Sequence, residues 1–328
     1  MNKKVSRRDF LKLSAIALGG SVVNPFPPPQ DEYRYASDEI GRITRSPSVS
    51  IYQEPNDKSK IVFQKFRDEL VNIYYEVVPS TGPAWNPLWY RVWGGYLHSM
   101  YVQRVKIHLN PPLSQISSRG HQLCEVSVPY TDSYIYSKYG GWEQKLRLYY
   151  QTTHWVVGIE TGPDGGAWYK VYDELEYDYF VPATALRPIP DEELSPISPD
   201  IPAHQKRIEL SLQWQTLTAY EKNNAVFETK ISSGIPSGKN PPEGTNTPVG
   251  NWNIYSKMPS KHMGDGNLTS DLKAYELTGV PWTSFFVESG VAFHGTYWHD
   301  NFGVPMSHGC INMRTDDAKW LFRWTTPV

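Results

Sequence analysis

Between His294 and Arg314 the chain gathers three of its nine histidines and one of its only two cysteines within twenty-one residues. Ser307-His308-Gly309-Cys310 sets a thiol directly after a glycine. Glycine has no Cβ, so backbone there can approach a substrate closely. A thiol is a weak nucleophile until a base or a dipole makes it a thiolate. His294 is a base of the right kind, and the intervening loop can return the chain so that the imidazole meets Cys310. The backbone N–H groups around His308, Gly309 and Cys310 are candidate oxyanion donors, a type of group that contributes about 3–4 kcal/mol of barrier lowering.

Two other chemistries fit the same residue types. His294, His299, His308 and Cys310 are all acceptable zinc ligands, but their spacing follows no usual zinc-finger or H-E-x-x-H arrangement. A cysteine beside a glycine can also be a buried apolar residue. His299 has no role in a base–nucleophile pair and is expected at the surface or the substrate edge.

A histidine, a loop of twelve residues and then Ser307-His308-Gly309-Cys310-Ile311-Asn312 closely resembles the catalytic motif of the L,D-transpeptidases, the YkuD-like domains. The resemblance implies Cys310 as nucleophile and His294 as general base. It implies that the main-chain carbonyl of Gly295 orients the imidazole. Ser307, His308, Gly309, Asn312 and Arg314 would shape the oxyanion hole and the site for a substrate carboxylate. It implies no metal and no organic cofactor. Thr247-Pro248-Val249-Gly250 ahead of a strand is similar to the same family, whose members usually add a further strand beyond the position of Val328.

Several elements must carry these groups. Residues 205–328 read as one catalytic unit. Lys206 to Leu212 alternates as a half-buried strand, Gln215 to Tyr220 continues it, Glu221 to Asn224 turns, and Ala225 to Ile231 returns. A strand is expected over Asn251 to Tyr255. Trp282 to Val287 and Val291 to His294 are strands that would deliver the base. Thr315 reads as a helix N-cap, Asp316 and Asp317 suit a helix N-terminus, and Trp320, Leu321 and Trp324 form the inner stripe. The expected fold is mainly β, with a C-terminal β-sandwich on which this short helix packs.

Upstream, two proline-rich stretches punctuate the chain. Residues 24–36 read as a stiff linker, and residues 189–204 as a proline and acid linker unable to build a core. Between them lies a weak internal repeat: Leu88-Trp-Tyr-Arg-Val-Trp93 recurs as Ala167-Trp-Tyr-Lys-Val-Tyr172, 79 positions later. Short strands, tight turns and this aromatic strand loosely resemble bacterial SH3-like barrels, covering 37–110 and 120–188. Trp89 and Trp168 are expected in cores. Because the chemistry fits within 205–328, the two modules are expected to tether the enzyme and take no part in bond making.

Residues 1–23 carry Ser6-Arg7-Arg8-Asp9-Phe10-Leu11-Lys12, a twin-arginine export pattern, before an apolar run too short for a confident membrane span. The expectation is export to the cell envelope or periplasm, with a membrane tether if the signal is retained. A net charge of −2 argues against nucleic-acid binding. Cys124 sits in an apolar strand-like run; a Cys124–Cys310 bridge would abolish the nucleophile. With 12 Trp, 22 Tyr and 51 Pro plus Gly, the composition favours short strands and turns.

The expected partners are peptidoglycan stem peptides and the cell wall. The resemblance implies a tetrapeptide stem cleaved between its third residue and terminal D-Ala, through a thioester resolved by an amine. Water as acceptor, giving an L,D-carboxypeptidase, uses the same residues and stays open. A non-catalytic wall-binding protein is the remaining alternative.

Overall fold

The computed structural model describes residues 39–80, 85–174, 178–264 and 276–327. The expected export signal and the first linker lie outside these residues. The described chain is mainly β, with one α-helix among the described residues, Thr315–Trp324.

Two sheets form the first module. Leu70–Asn72, Ile40–Ile43 and Val102–Val105 make a three-stranded sheet, and Ile61–Phe66, Ser48–Tyr52, Gly95–His98, Trp89–Val92 and Tyr75–Val77 a five-stranded one. Ile43, Ile51, Tyr90, Leu97 and Val102 close the core between them. The second module is one seven-stranded sheet, in the order Gly141–Tyr149, Tyr130–Ser137, Asp178–Pro182, Ala167–Tyr172, Thr153–Thr161, Gln122–Val126 and Leu186–Pro188. Its core holds Cys124, whose thiol is free and pushed up to about 12 by burial.

The sequence repeat has structural content. Trp89 and Tyr90 in one copy, and Trp168 and Tyr169 in the other, are buried. Each copy is followed by a strand, a single 3-10 turn (Ser99–Tyr101 or Ala183–Ala185) and a further strand.

In the C-terminal region, Lys206–Ser211, Thr216–Glu221 and Asn224–Lys230 form a three-stranded meander. Its second hairpin closes over two residues, with Lys222 at φ +56°. Ser256–Gly264, Glu276–Val287, Val291–Gly295 and Ile311–Met313 form the facing four-stranded sheet. Leu217, Ala219 and Ile231 from one sheet meet Trp282, Phe286 and Phe293 from the other in a common core. The helix buries Ala318, Leu321 and Trp324 against it, and Trp320 stacks on Phe227 with ring centroids 4.2 Å apart.

Three local expectations change. Residues 251–255 are not a strand; the strand starts at Ser256, and Trp252 lies on the wall of a cavity instead. The helix begins at Thr315 itself, with Arg314 in the capping position and no side chain capping it. Residues 189–204 do pack, although not on a core of their own. Ile189, Leu194 and Ile197 join the C-terminal core, and Ile197 exchanges backbone contact with Arg323 of the helix at 3.0 Å. Composition reports whether a segment can build a core, not whether a neighbour lends it one. Consistent with this strapping, Ala36–Val328 gathers into one compact unit.

Candidate active site

Val291–Gly295 is buried along its whole length. Side chains alternate in a strand, so Val291 and Phe293 enter the core while His294 faces the other way. The neighbouring strand Ile311–Met313 runs parallel, with His294 opposite Asn312. Ile311 and Met313 point to the core, which leaves Cys310 and Asn312 on the His294 side. Parallel neighbours require a crossover, and residues 296–310 supply it. The sheet thus brings the base and the thiol onto one face across adjacent strands.

His294 Nδ1 lies 3.0 Å from the Gly295 carbonyl oxygen. A carbonyl only accepts, so Nδ1 carries the proton and Nε2 is left as the acceptor. Burial pushes the imidazole down to about 4, the backbone bond opposing it. Burial pushes the Cys310 thiol up to about 11, offset in part by the backbone at Ala292. The Cys310 side chain is half-buried, and its sulfur points toward Gly290 O at 3.9 Å. Both shifts favour the neutral forms, thiol and neutral imidazole.

The turn that presents the thiol is tied internally. Ser307 Oγ donates to Cys310 O at 2.6 Å and accepts from Gly309 N at 3.1 Å. Gly309 sits at φ +124°, and a Cβ there would fall 2.5 Å from Pro241 Cγ. Thr247 Oγ1 accepts from Gly234 N at 2.9 Å and donates to Gly309 O at 2.8 Å.

The sequence profile of the YkuD family, the L,D-transpeptidase catalytic domain, matches residues 205–328. This segment is an L,D-transpeptidase catalytic domain. No curated protein matches the chain. Among solved structures, the catalytic domain of an Enterococcus faecium L,D-transpeptidase is 27% identical over 36% of this chain and 87% of its own, at a TM-score of 0.29. A longer structure of the E. faecium enzyme, a cysteine-to-serine mutant, is also 27% identical, over 36% of this chain and 45% of its own, at a TM-score of 0.30. This chain therefore spans less than half of that protein. An L,D-transpeptidase from Mycobacterium smegmatis is 16% identical over 69% of this chain and 86% of its own, at a TM-score of 0.32. The assignment rests on the sequence profile and not on these superpositions.

Within the transpeptidase domain, Ser307 is buried and serves to shape the turn, and the N–H of Gly309 is already spent on it. That donor is not directed at an oxyanion. His308 is exposed. Arg314 is exposed as well: its guanidinium lies 4.8 Å from the Phe302 ring centroid, with Nε 3.6 Å from Asp300 Oδ1. It lines a cleft of about 430 Å³ with Gln103, Tyr150, His299 and Asp300, which Cys310 does not line. A second cavity of about 400 Å³ opens on the Phe293 face, and neither Cys310 nor His294 reaches it.

His299 is not a surface residue. It is buried, its Nδ1 accepts from Asn301 N at 3.1 Å, and its Nε2 lies 2.9 Å from the Asn312 amide. Because Nδ1 accepts, the ring proton is on Nε2, and the Asn312 amide completes the bond through its oxygen. This orientation also satisfies Asn312 Oδ1, which otherwise stands buried without a partner. Burial, with His294 and Arg314 nearby, pushes His299 down to about 3. Sequence reasoning also missed Trp298, whose ring lies 5.7 Å from that of His294, and the reach of Thr247 into the thiol turn. The Thr-Pro pair signalled Thr247; no signal in the sequence marked Trp298.

Proposed function

We propose that this protein is a cysteine-dependent L,D-transpeptidase acting on peptidoglycan stem peptides. The observation that supports it most is the pairing of a tautomer-fixed His294 with the Cys310 turn across two parallel strands of the matched domain. Cys310 sulfur attacks the carbonyl that joins the third stem residue to terminal D-Ala. His294 Nε2 takes the thiol proton as the carbon–sulfur bond forms. The imidazolium returns that proton to the D-Ala nitrogen as the carbon–nitrogen bond breaks. An amine of a second stem then attacks the thioester and gives its proton to His294, which passes it to the sulfur as the carbon–sulfur bond breaks, regenerating the thiol. The twin-arginine pattern of residues 6–12 supports a reading in which this chemistry is exported to the cell envelope.

The test incubates the full chain with a defined tetrapeptide muropeptide and follows the products by mass spectrometry. The expected results are loss of D-Ala, an acyl adduct on the Cys310 peptide and a cross-linked dimer. Hydrolysis without any dimer, even with excess amine, would replace the transpeptidase by a carboxypeptidase. Turnover surviving in Cys310→Ala would end the cysteine mechanism.

A further inference from the structure

The crossover between base and nucleophile is held in two halves. Its later half is tied by the transpeptidase domain: Ser232 Oγ donates to Asn301 O at 3.0 Å, and Gly303 N donates to Ile231 O at 2.8 Å. Its earlier half, Tyr297 to Asp300, is tied from the first module. Arg42 Nη2 donates to Tyr297 O at 2.9 Å, Asp300 N donates to Met100 O at 2.9 Å, and Asn86 Nδ2 reaches Asp300 O at 3.4 Å. The same Asn86 amide donates to Asn301 Oδ1 at 3.0 Å.

These contacts are built, not incidental. Arg42 is 1% exposed. Three further donors are engaged, with Gln103 Oε1 at 2.8 and 3.1 Å and Asp68 Oδ1 at 2.8 Å. The guanidinium lies 4.1 Å above the Tyr149 ring, and Tyr149 in turn stacks on Tyr297 with centroids 5.4 Å apart. Asp68 also pairs with Arg147 at 3.0 Å, so both modules share the network. A buried charge is retained only when its donors are satisfied, and one of the acceptors here is a backbone carbonyl of the crossover.

The held segment leads straight to the chemistry. Tyr297 precedes Trp298, which covers His294, and His299 bonds the Asn312 amide. We propose that Arg42 and Asn86 are positioning residues for the acyl-transfer site, holding the crossover so that the His294 imidazole and the Asn312 amide keep their places. This rests on the reading of His294 and Cys310 as base and nucleophile. It also replaces the passive tether expected of the first module. A misplacement of about 1 Å at such a distance can cost up to 10²-fold in rate.

Arg42→Lys keeps a cation beside Asp68 but lacks the planar fork that serves Gln103, Asp68 and Tyr297 O together. Asn86→Ala removes the second tie and carries the same test if the lysine variant does not fold. Both are measured in the full chain, alone and combined with His294→Ala. The readouts are the iodoacetamide alkylation rate of Cys310, which needs no substrate, and kcat and KM on muropeptide. Each variant is expected to slow alkylation and kcat about tenfold with KM within about twofold. In the His294→Ala background the same substitution is expected to leave the alkylation rate unchanged, because the base that activates the thiol is gone. An equal slowing in both backgrounds means a merely structural role and overturns the proposal, as does no slowing in a folded variant. Alkylation that responds as expected in a chain that leaves muropeptides untouched would remove the substrate assignment and keep the positioning role.

Discussion

The two N-terminal modules share a Trp-Tyr-basic-Val strand and the strand–turn–strand that follows it, yet they meet the transpeptidase domain in different ways. The first aims side-chain donors at the backbone of the crossover beside His294. The second braces the outer strands of the sheet. Thr153 Oγ1 donates to Pro259 O at 2.6 Å, Ser260 Oγ donates to Thr153 O at 2.5 Å, and Glu174 accepts from Lys261 Nζ at 2.9 Å. Beneath these contacts His262 stands between two buried carboxylates, 3.5 Å from Asp173 and 3.0 Å from Glu276. Similar strands therefore make separate contacts: one module touches the crossover beside His294, and the other touches the sheet that contains His294.

The comparison can be broken by experiment, and the catalytic pair sets its scale. Cys310→Ala is expected to abolish turnover with the thermal unfolding curve unchanged. His294→Ala should lower turnover about 10²–10⁴-fold and slow Cys310 alkylation with it; normal values for both would end the assignment.

Next in size is the excised segment 205–328. It loses Leu123, Ile189, Leu194 and Ile197 from its core as well as the Arg42 tie. Broad unfolding and a large loss of turnover on soluble muropeptides are expected. A sharp melt with full turnover would restore the passive tether.

Gly279→Ala tests the second module. Gly279 lies at φ +64°, and a Cβ there would sit 2.3 Å from His154 Cε1. Strain and clash together should cost about 2–4 kcal/mol in chemical denaturation. The folded fraction should keep its kcat; a lower kcat per folded molecule would erase the distinction between the modules.

The smallest effect is graded with pH. Burial pushes His154 and His294 down to about 4 and His299 to about 3. Their folded values lie below the unfolded one, so between about pH 6.5 and 4 the unfolded chain binds more protons and stability falls as pH falls. Each group contributes up to about 1.4 kcal/mol per pH unit in that window. His154→Gln should flatten the slope measured by urea denaturation at pH 7 and pH 5. An unchanged slope would show that His154 is not among the groups responsible.

What was legible in the sequence was what lies close together along it. The thiol turn and His294 sit within one stretch, the Lys222 turn is local, and Leu321 and Trp324 mark one helix face within a single turn. The three strands of the 206–230 meander were likewise read from local alternation. Burial of His299 was not legible, because its partners, Asn301 N and the Asn312 amide, become neighbours only once the crossover has folded. Nor was Trp282 at φ +60° inside a strand, a conformation that a residue with a Cβ rarely adopts. Nothing local in the sequence marked Arg42, whose acceptor on the crossover lies 255 positions away.

The bond from Arg42 to the Tyr297 carbonyl spans 255 positions. A ribosome makes the arginine long before it makes the loop, and the loop before the cysteine. An emerging chain can finish its first sheets while nothing in it can yet attack a peptide. The reactive pair gains its support only when early-made and late-made segments close on each other, an ordering of long-range contacts that is slow relative to local folding. The connectivity itself delays the support of His294 and Cys310 until segments made early and segments made late have both emerged.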